Sequence, residues 1–136
     1  MDNACAVMEA IHQEIQTEYR LHGSIRHNCY LTALEIAQSL IVAESRNPEI
    51  REYHLLGGKP GDGMKFNANG YENDRPFKFH MVCVCDGLVF DPLYRRAIPE
   101  KDYPRELTKH PLEHRVEESA RSLQGLFKTR LSRFFL

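Results

Sequence analysis

The feature that most constrains this chain is a pair of β-patterned segments joined by a two-residue turn. Residues 77–85 are rich in valine, phenylalanine and cysteine, Asp86-Gly87 follows, and residues 88–91 form a second apolar segment. Asp-Gly is one of the dipeptides preferred in two-residue hairpin turns, because both positions require a positive φ. We therefore predict an antiparallel hairpin within residues 76–92, and this is the clearest β signal in the chain.

A two-residue turn also fixes which residues face each other across the hairpin. The predicted pairs are Cys85 with Leu88, Val84 with Val89 and Val82 with Asp91. Because side chains alternate along a strand, His80 and Asp91 then project from the same face as diagonal neighbours within hydrogen-bonding reach. A longer turn or a bulge would send Asp91 to the other face, in which case Asp86 is the alternative carboxylate.

Helical periodicity marks three other segments. Apolar residues recur every fourth position from Ala4 to His22, and Gly23 suits the end of that helix. A second and more apolar helix is predicted from Cys29 to Glu44, with Asn28 as its N-cap. A third amphipathic helix is predicted near the C-terminus from the spacing of Val116, Ala120, Leu123, Phe127 and Phe134.

The remaining segments carry weaker signals. Residues 49–56 are compatible with a strand, the glycine-rich residues 57–63 form a loop, and the chain stays polar up to Arg75. Residues 93–111 contain three prolines and are predicted to be an extended surface connection. With 136 residues and 42% hydrophobic content, we expect one α+β domain spanning residues 1–136.

Cys29 is the candidate nucleophile. The start of a helix stabilises a thiolate through the macrodipole and the free N–H groups, and the same N–H groups can form part of an oxyanion hole. A lone cysteine is more often a small buried apolar residue. The hairpin favours the chemical interpretation, since a carboxylate at Asp91 would fix the tautomer of His80 and leave its other nitrogen to take the thiol proton.

The sequence around these three residues resembles the papain-like and transglutaminase-like superfamily of cysteine enzymes. The resemblance lies in Arg26-His27-Asn28-Cys29-Tyr30, then Phe79-His80-Met81-Val82, then Val89-Phe90-Asp91-Pro92, and covers roughly residues 24 to 95. It is strongest for the small bacterial toxins and effectors that deamidate protein glutamines. It implies a central nucleophile helix packed on a small antiparallel sheet, with flanking N- and C-terminal helices, and a catalytic triad of Cys29, His80 and Asp91.

Two departures from the superfamily pattern change what the resemblance implies. The short separation of His80 and Asp91 implies a tight hairpin without an elaborated substrate lobe. No glutamine stands a few residues before Cys29, where papain-like proteases place an oxyanion donor. That role would pass to Asn28, His27 or the backbone, which argues against a general protease.

The expected activity is hydrolysis of a glutamine side-chain amide in a protein substrate through a thioester. A transglutaminase or a cysteine protease would use the same triad, and a catalytically inactive protein-binding module is the alternative from a different class. A glutamine on a folded partner is expected as substrate, bound by the adaptable residues 57–75.

Composition and motifs limit the other possibilities. With 18 basic and 19 acidic residues, the chain lacks the positive charge of a nucleic-acid binder. The four cysteines show no disulfide framework, and no signal peptide or apolar span is visible, so we expect a reducing cytoplasm, with translocation into a target cell if the chain is an effector. His110, Glu113 and His114 fit a zinc-peptidase pattern, but we interpret them as a surface helix start and expect no metal, other cofactor or membrane partner.

Overall fold

The computed structural model describes residues 1–59, 62–67, 71 and 76–135, and the side chains up to Phe127. In this part of the chain the fold is mixed α+β, with four helices and one five-stranded antiparallel sheet. The elements in chain order are α1 (Asp2–His22), α2 (Cys29–Val42), β1 (Glu49–Leu55), β2 (His80–Cys85), β3 (Leu88–Phe90), β4 (Ile98–Pro99), α3 (Tyr103–Leu107), β5 (Leu112–Glu118) and α4 (Ala120–Phe135).

The predicted hairpin is the centre of the sheet, whose strand order is β4-β3-β2-β1-β5. Strands β2 and β3 pair with Cys85 opposite Leu88, Val84 opposite Val89 and Cys83 opposite Phe90. Asp86 and Gly87 have φ angles of 51° and 76°, as the predicted two-residue turn requires. The predicted turn and the predicted pairs Cys85–Leu88 and Val84–Val89 are therefore confirmed, whereas Asp91, predicted opposite Val82, lies just beyond the end of β3.

Helix α2 packs on β2 and also contacts α1, α4 and β1. Its buried face consists of residues at helical spacing: Thr32, Ala33, Ile36, Ala37 and Leu40. Helix α1 ends at Gly23, whose left-handed φ of 71° and backbone N–H to the Tyr19 carbonyl close the last turn. The buried hydrophobic side chains of both helices join those of the sheet in one core cluster.

The prediction for residues 112–118 was wrong. The segment that contains His114 and Val116 was expected to begin the last helix, but it is strand β5, paired with β1 through Tyr53 opposite His114. Helix α4 begins only at Ala120. Most residues of β5 are exposed, as in an edge strand, so its sequence shows no apolar alternation that would reveal a strand.

Residues 93–111 are also more structured than predicted. They contain the short edge strand β4 and the single-turn helix α3, and the side chains of Ile98, Tyr103 and Leu107 in these elements are buried. Pro104 lies in the first turn of α3, where proline is tolerated because its missing N–H has no helical partner. Of the three prolines that suggested an extended connection, Pro104 is thus compatible with a helix start and Pro99 ends the short edge strand β4.

Candidate active site

Cys29 is the first residue of α2, as the sequence predicted. The Asn28 side chain accepts a hydrogen bond from the Leu31 N–H at 3.1 Å, and the Asn28 carbonyl accepts one from the Thr32 N–H at 3.1 Å. No acidic side chain lies in the first helical turn. The partial positive charge of the helix start is therefore not offset by a nearby carboxylate of that turn and is available to a thiolate at Cys29.

His80 and Asp91 form the hydrogen-bonded pair that the hairpin register implied. His80 Nε2 lies 2.9 Å from Asp91 Oδ2, and the two residues are only 5% and 1% exposed. Asp91 follows directly after β3, so the two-residue turn is what brings it back beside the first residue of β2. Because Nε2 is committed to the carboxylate, Nδ1 is the ring nitrogen left for a second partner.

Cys29 and His80 line a common pocket of about 40 Å³. Most of its other walls are apolar and come from Ile15, Ile25, Phe66, Phe77, Pro92 and Leu93. His80 Nδ1 is buried and has no hydrogen-bond partner among the described residues. The thiol and the imidazole therefore line the same pocket without a formed hydrogen bond between them. Contacts of this kind are often long in the absence of substrate and tighten when substrate binds.

The interaction between the two groups shifts both pKa values in the direction of an ion pair. Burial alone raises the pKa of the Cys29 thiol, but its interaction with the adjacent His80 imidazole, together with the Met81 backbone, brings that pKa below its usual value. Burial lowers the pKa of His80, but the charge of Asp91, its hydrogen bond and the nearby thiol raise it well above its usual value. The site therefore favours a thiolate beside an imidazolium.

Two parts of the site were missed by the sequence analysis. Tyr103 donates a hydrogen bond from its hydroxyl to Asp91 Oδ2 at 2.5 Å. The Phe66 ring lies edge-on to the His80 imidazole, with centroids 5.0 Å apart, and is held near the sheet by the bridge between Met64 and Phe77. Neither contact has a local sequence signal. Phe66 and Tyr103 lie in segments predicted to be loop or extended chain, and nothing in those segments indicates which part of the fold they contact.

Both side chains considered as oxyanion donors, Asn28 and His27, already have other partners. The Asn28 side chain is occupied by its capping bond to Leu31. His27 lines the pocket but its ring nitrogens lie 3.4 Å from Glu14 and 3.3 Å from Glu18. The first N–H groups of a helix have no intrahelical acceptor, so the backbone N–H of Cys29 itself is the donor best placed beside the sulfur.

The alternative carboxylate, Asp86, lies away from the pair. It occupies the turn and forms a salt bridge with Arg46 at 2.8 Å, with both side chains about half exposed. The register therefore assigns Asp91, not Asp86, to His80.

The zinc-like pattern does not form a metal site in the described chain. Glu113 pairs with His54 at 2.8 Å, and the His114 ring packs against Tyr53. No group of three potential metal ligands was found among the described residues. Because β5 is a strand, His110 and His114 do not have the one-turn helical spacing on which that motif depends.

Comparison of the chain with protein-family models, with curated proteins and with solved structures found no match in any of the three searches. Among the helices described, none is both long and apolar enough to cross a membrane.

Proposed function

We propose that this chain is a papain-like or transglutaminase-like cysteine enzyme that deamidates glutamine side chains of a protein substrate. The observation that carries the proposal is the hydrogen-bonded pair of His80 and Asp91 beside the helix-start thiol of Cys29. These groups have the roles of nucleophile, general acid and base, and orienting carboxylate that acyl transfer by a thiol requires.

The proposed reaction begins with attack of the Cys29 thiolate on the carboxamide carbon. The oxyanion receives the backbone N–H of Cys29 at the start of α2. The C–N bond then breaks, His80 gives its proton to the leaving ammonia, and a thioester remains. Water attacks the thioester while His80 takes one of its protons, and the C–S bond breaks to restore the thiolate-imidazolium pair. The glutamic acid product leaves and gives its proton to ammonia or water.

The chemistry of the pocket supports a side chain on a protein over free glutamine. A free amino acid presents an ammonium and a carboxylate that a binding site must pair with charges or hydrogen bonds. The described lining contains no lysine or arginine, its one acid, Asp91, is bound to His80, and His27 already contacts Glu14 and Glu18. Binding energy would then come from surfaces outside the pocket, which position the carboxamide beside the sulfur.

The segment expected to supply such a surface, residues 57–75, is described only in part. Pro60, Gly61 and residues 68–70 and 72–75 lie outside the described residues. Phe66, within the described part, reaches the pocket wall. This contact supports the idea that the segment adjoins the site of reaction.

The test is to incubate the chain with a panel of folded proteins, with β-casein and with free glutamine, and to measure ammonia release and intact mass. Deamidation adds about one dalton, whereas a transglutaminase joins masses and a protease divides them. We expect ammonia and the one-dalton gain from a folded protein, much faster than from free glutamine. Cys29→Ala should abolish the reaction and Cys5→Ala, at an exposed thiol of α1, should preserve it.

Efficient turnover of free glutamine, or cleavage of β-casein, would mean that the triad is active but the reaction is different. A chain whose Cys29 shows no more reactivity than its other thiols would instead support the protein-binding module.

A further inference from the structure

Asp91 receives more hydrogen bonds than the orientation of a histidine requires. Oδ2 accepts from His80 Nε2 at 2.9 Å and from the Tyr103 hydroxyl at 2.5 Å, while Oδ1 accepts from the Leu93 N–H at 3.0 Å. The carboxylate is already held by Leu93 and its backbone carbonyl by the Tyr94 N–H at 2.9 Å. The distinctive feature of Tyr103 is therefore that it shares one oxygen with His80.

Tyr103 is built into the fold as a hydrogen-bond donor. Its side chain is fully buried, and its ring packs edge-to-face against Tyr53 at 5.1 Å and Tyr94 at 6.4 Å. Burial, and next the charge of Asp91, raise the pKa of Tyr103 well above its usual value, so the phenol keeps its proton. A neutral phenol against a carboxylate can only donate its hydroxyl hydrogen.

We propose that Tyr103 is a positioning residue that limits the proton affinity of His80 by sharing the negative charge on Asp91 Oδ2. The proposal rests on the proposed function of His80 as the acid of the triad. In a buried site a bare carboxylate would hold an imidazolium so strongly that transfer of its proton to leaving ammonia would be slow. A second donor on the same oxygen spreads that charge and weakens the hold on His80.

The groups that face His80 determine the direction in which its pKa should change when Tyr103 is substituted. They are Cys29 from the start of α2, Asp91 after β3, and His27 on the pocket wall, with Tyr103 acting through its hydrogen bond to Asp91. Removing the Tyr103 hydroxyl leaves Asp91 in place through Leu93 but returns its full charge to His80. We therefore expect the pKa of His80 to rise and not to fall.

The experiment measures the pKa of His80 by ¹⁵N NMR of the imidazole in a Cys29→Ala background, which removes the coupled thiol. Tyr103→Phe should raise the pKa by about half a unit or more. Tyr94→Phe is the matched control, because the Tyr94 hydroxyl donates to the Glu106 carbonyl and not to Asp91, and it should leave the pKa of His80 unchanged. An unchanged or lower value for Tyr103→Phe would overturn the proposal.

A second substitution protects the test against a Tyr103→Phe chain that fails to fold. Site-specific 3-fluorotyrosine at position 103 keeps the ring and provides a more acidic phenol, which is a stronger donor. It should lower the pKa of His80, opposite in sign to the effect of phenylalanine, and a rise or no change would contradict the proposal. Neither measurement depends on a substrate, so the outcome is independent of whether glutamine deamidation is the correct reaction.

In the chain with Cys29 intact, the same role of Tyr103 predicts that substitution affects turnover but not alkylation of Cys29. Tyr103→Phe should retain alkylation of Cys29 by iodoacetamide at neutral pH, because the thiolate-imidazolium pair persists. Its turnover should fall several-fold, because proton donation by His80 is slower. Loss of both in parallel would indicate a purely structural role for Tyr103.

Discussion

Two different cysteine environments occur in this fold. Cys29 is partly exposed at the start of α2 beside His80, and interaction with that imidazole brings the pKa of its thiol below the usual value. Cys83 lies inside β2 between Ile50 and Phe90, where burial raises the pKa of the thiol. Burial also raises the pKa of Cys85, two residues further on.

The difference shows that burial does not by itself decide the chemistry of a thiol. Burial disfavours the thiolate at Cys29 and at Cys83 alike. Only Cys29 has a helix start and an imidazole to offset that cost, whereas the neighbours of Cys83 across the sheet are apolar. One thiol is therefore suited to nucleophilic attack and the other to packing.

The largest expected effect on turnover comes from replacing Cys29 by alanine, with the same substitution at Cys83 as its comparison. Cys29→Ala should lower turnover by about a thousandfold or more while leaving the fold intact, because the nucleophile is lost. Cys83→Ala should retain turnover but lower the free energy of unfolding by ~1–2 kcal/mol through a small cavity in the core. Ammonia release and urea unfolding measure the two effects, and the opposite pattern would refute the assignment of the thiols.

The next largest effect is expected at Asp91, the carboxylate of the candidate active site. Asp91→Asn keeps an oxygen for the Leu93 N–H but no longer holds His80 in the required tautomer, so turnover should fall by about a hundredfold or more, yet less than in Cys29→Ala. Asp86→Asn, in the exposed turn, is the control and should leave turnover unchanged. Turnover that depends on Asp86 and not on Asp91 would reverse the assignment of the two carboxylates.

The hairpin half of the site could be predicted from the sequence because its determinants are local. The alternation of side chains between the two faces of a strand and the two-residue Asp-Gly turn together fix the register. That register places Asp91 beside His80. The helix start at Cys29 is equally local, since its N-cap is the preceding residue.

The later part of the chain could not be predicted in the same way, because its structure depends on distant partners. Strand β5 is defined by pairing with β1, more than fifty residues earlier in the sequence, and its exposed side chains give no periodic signal. Tyr103 belongs to α3, in a segment whose prolines suggested an extended chain, and it meets Asp91 and the Tyr53 ring of β1 only in the folded chain. The candidate triad was thus visible in the sequence, but the residue that adjusts it was not.

A smaller effect should appear in the rates of alkylation. At neutral pH we expect iodoacetamide to modify Cys29 about tenfold faster than the exposed Cys5, and Cys83 only when the protein unfolds. The lowered pKa of Cys29 provides thiolate where a free thiol is still protonated, so its advantage over free cysteine should narrow as pH rises towards about 8.5. Peptide mass mapping during labelling measures each site, and equal rates for all four thiols would remove the distinction between the two environments.

The smallest effect concerns the cap that holds the helix start beneath Cys29. Asn28→Ala removes the acceptor for the Leu31 N–H and should lower the free energy of unfolding by about 1 kcal/mol. Because the Asn28 side chain is committed to this cap, turnover should fall only a few-fold, through looser placement of the sulfur and the adjacent N–H. Asn28→Ser restores a capping oxygen and should recover both quantities, measured by urea unfolding and ammonia release. If serine restores stability but not turnover, Asn28 acts on the substrate directly and the oxyanion role expected from the sequence returns to its side chain.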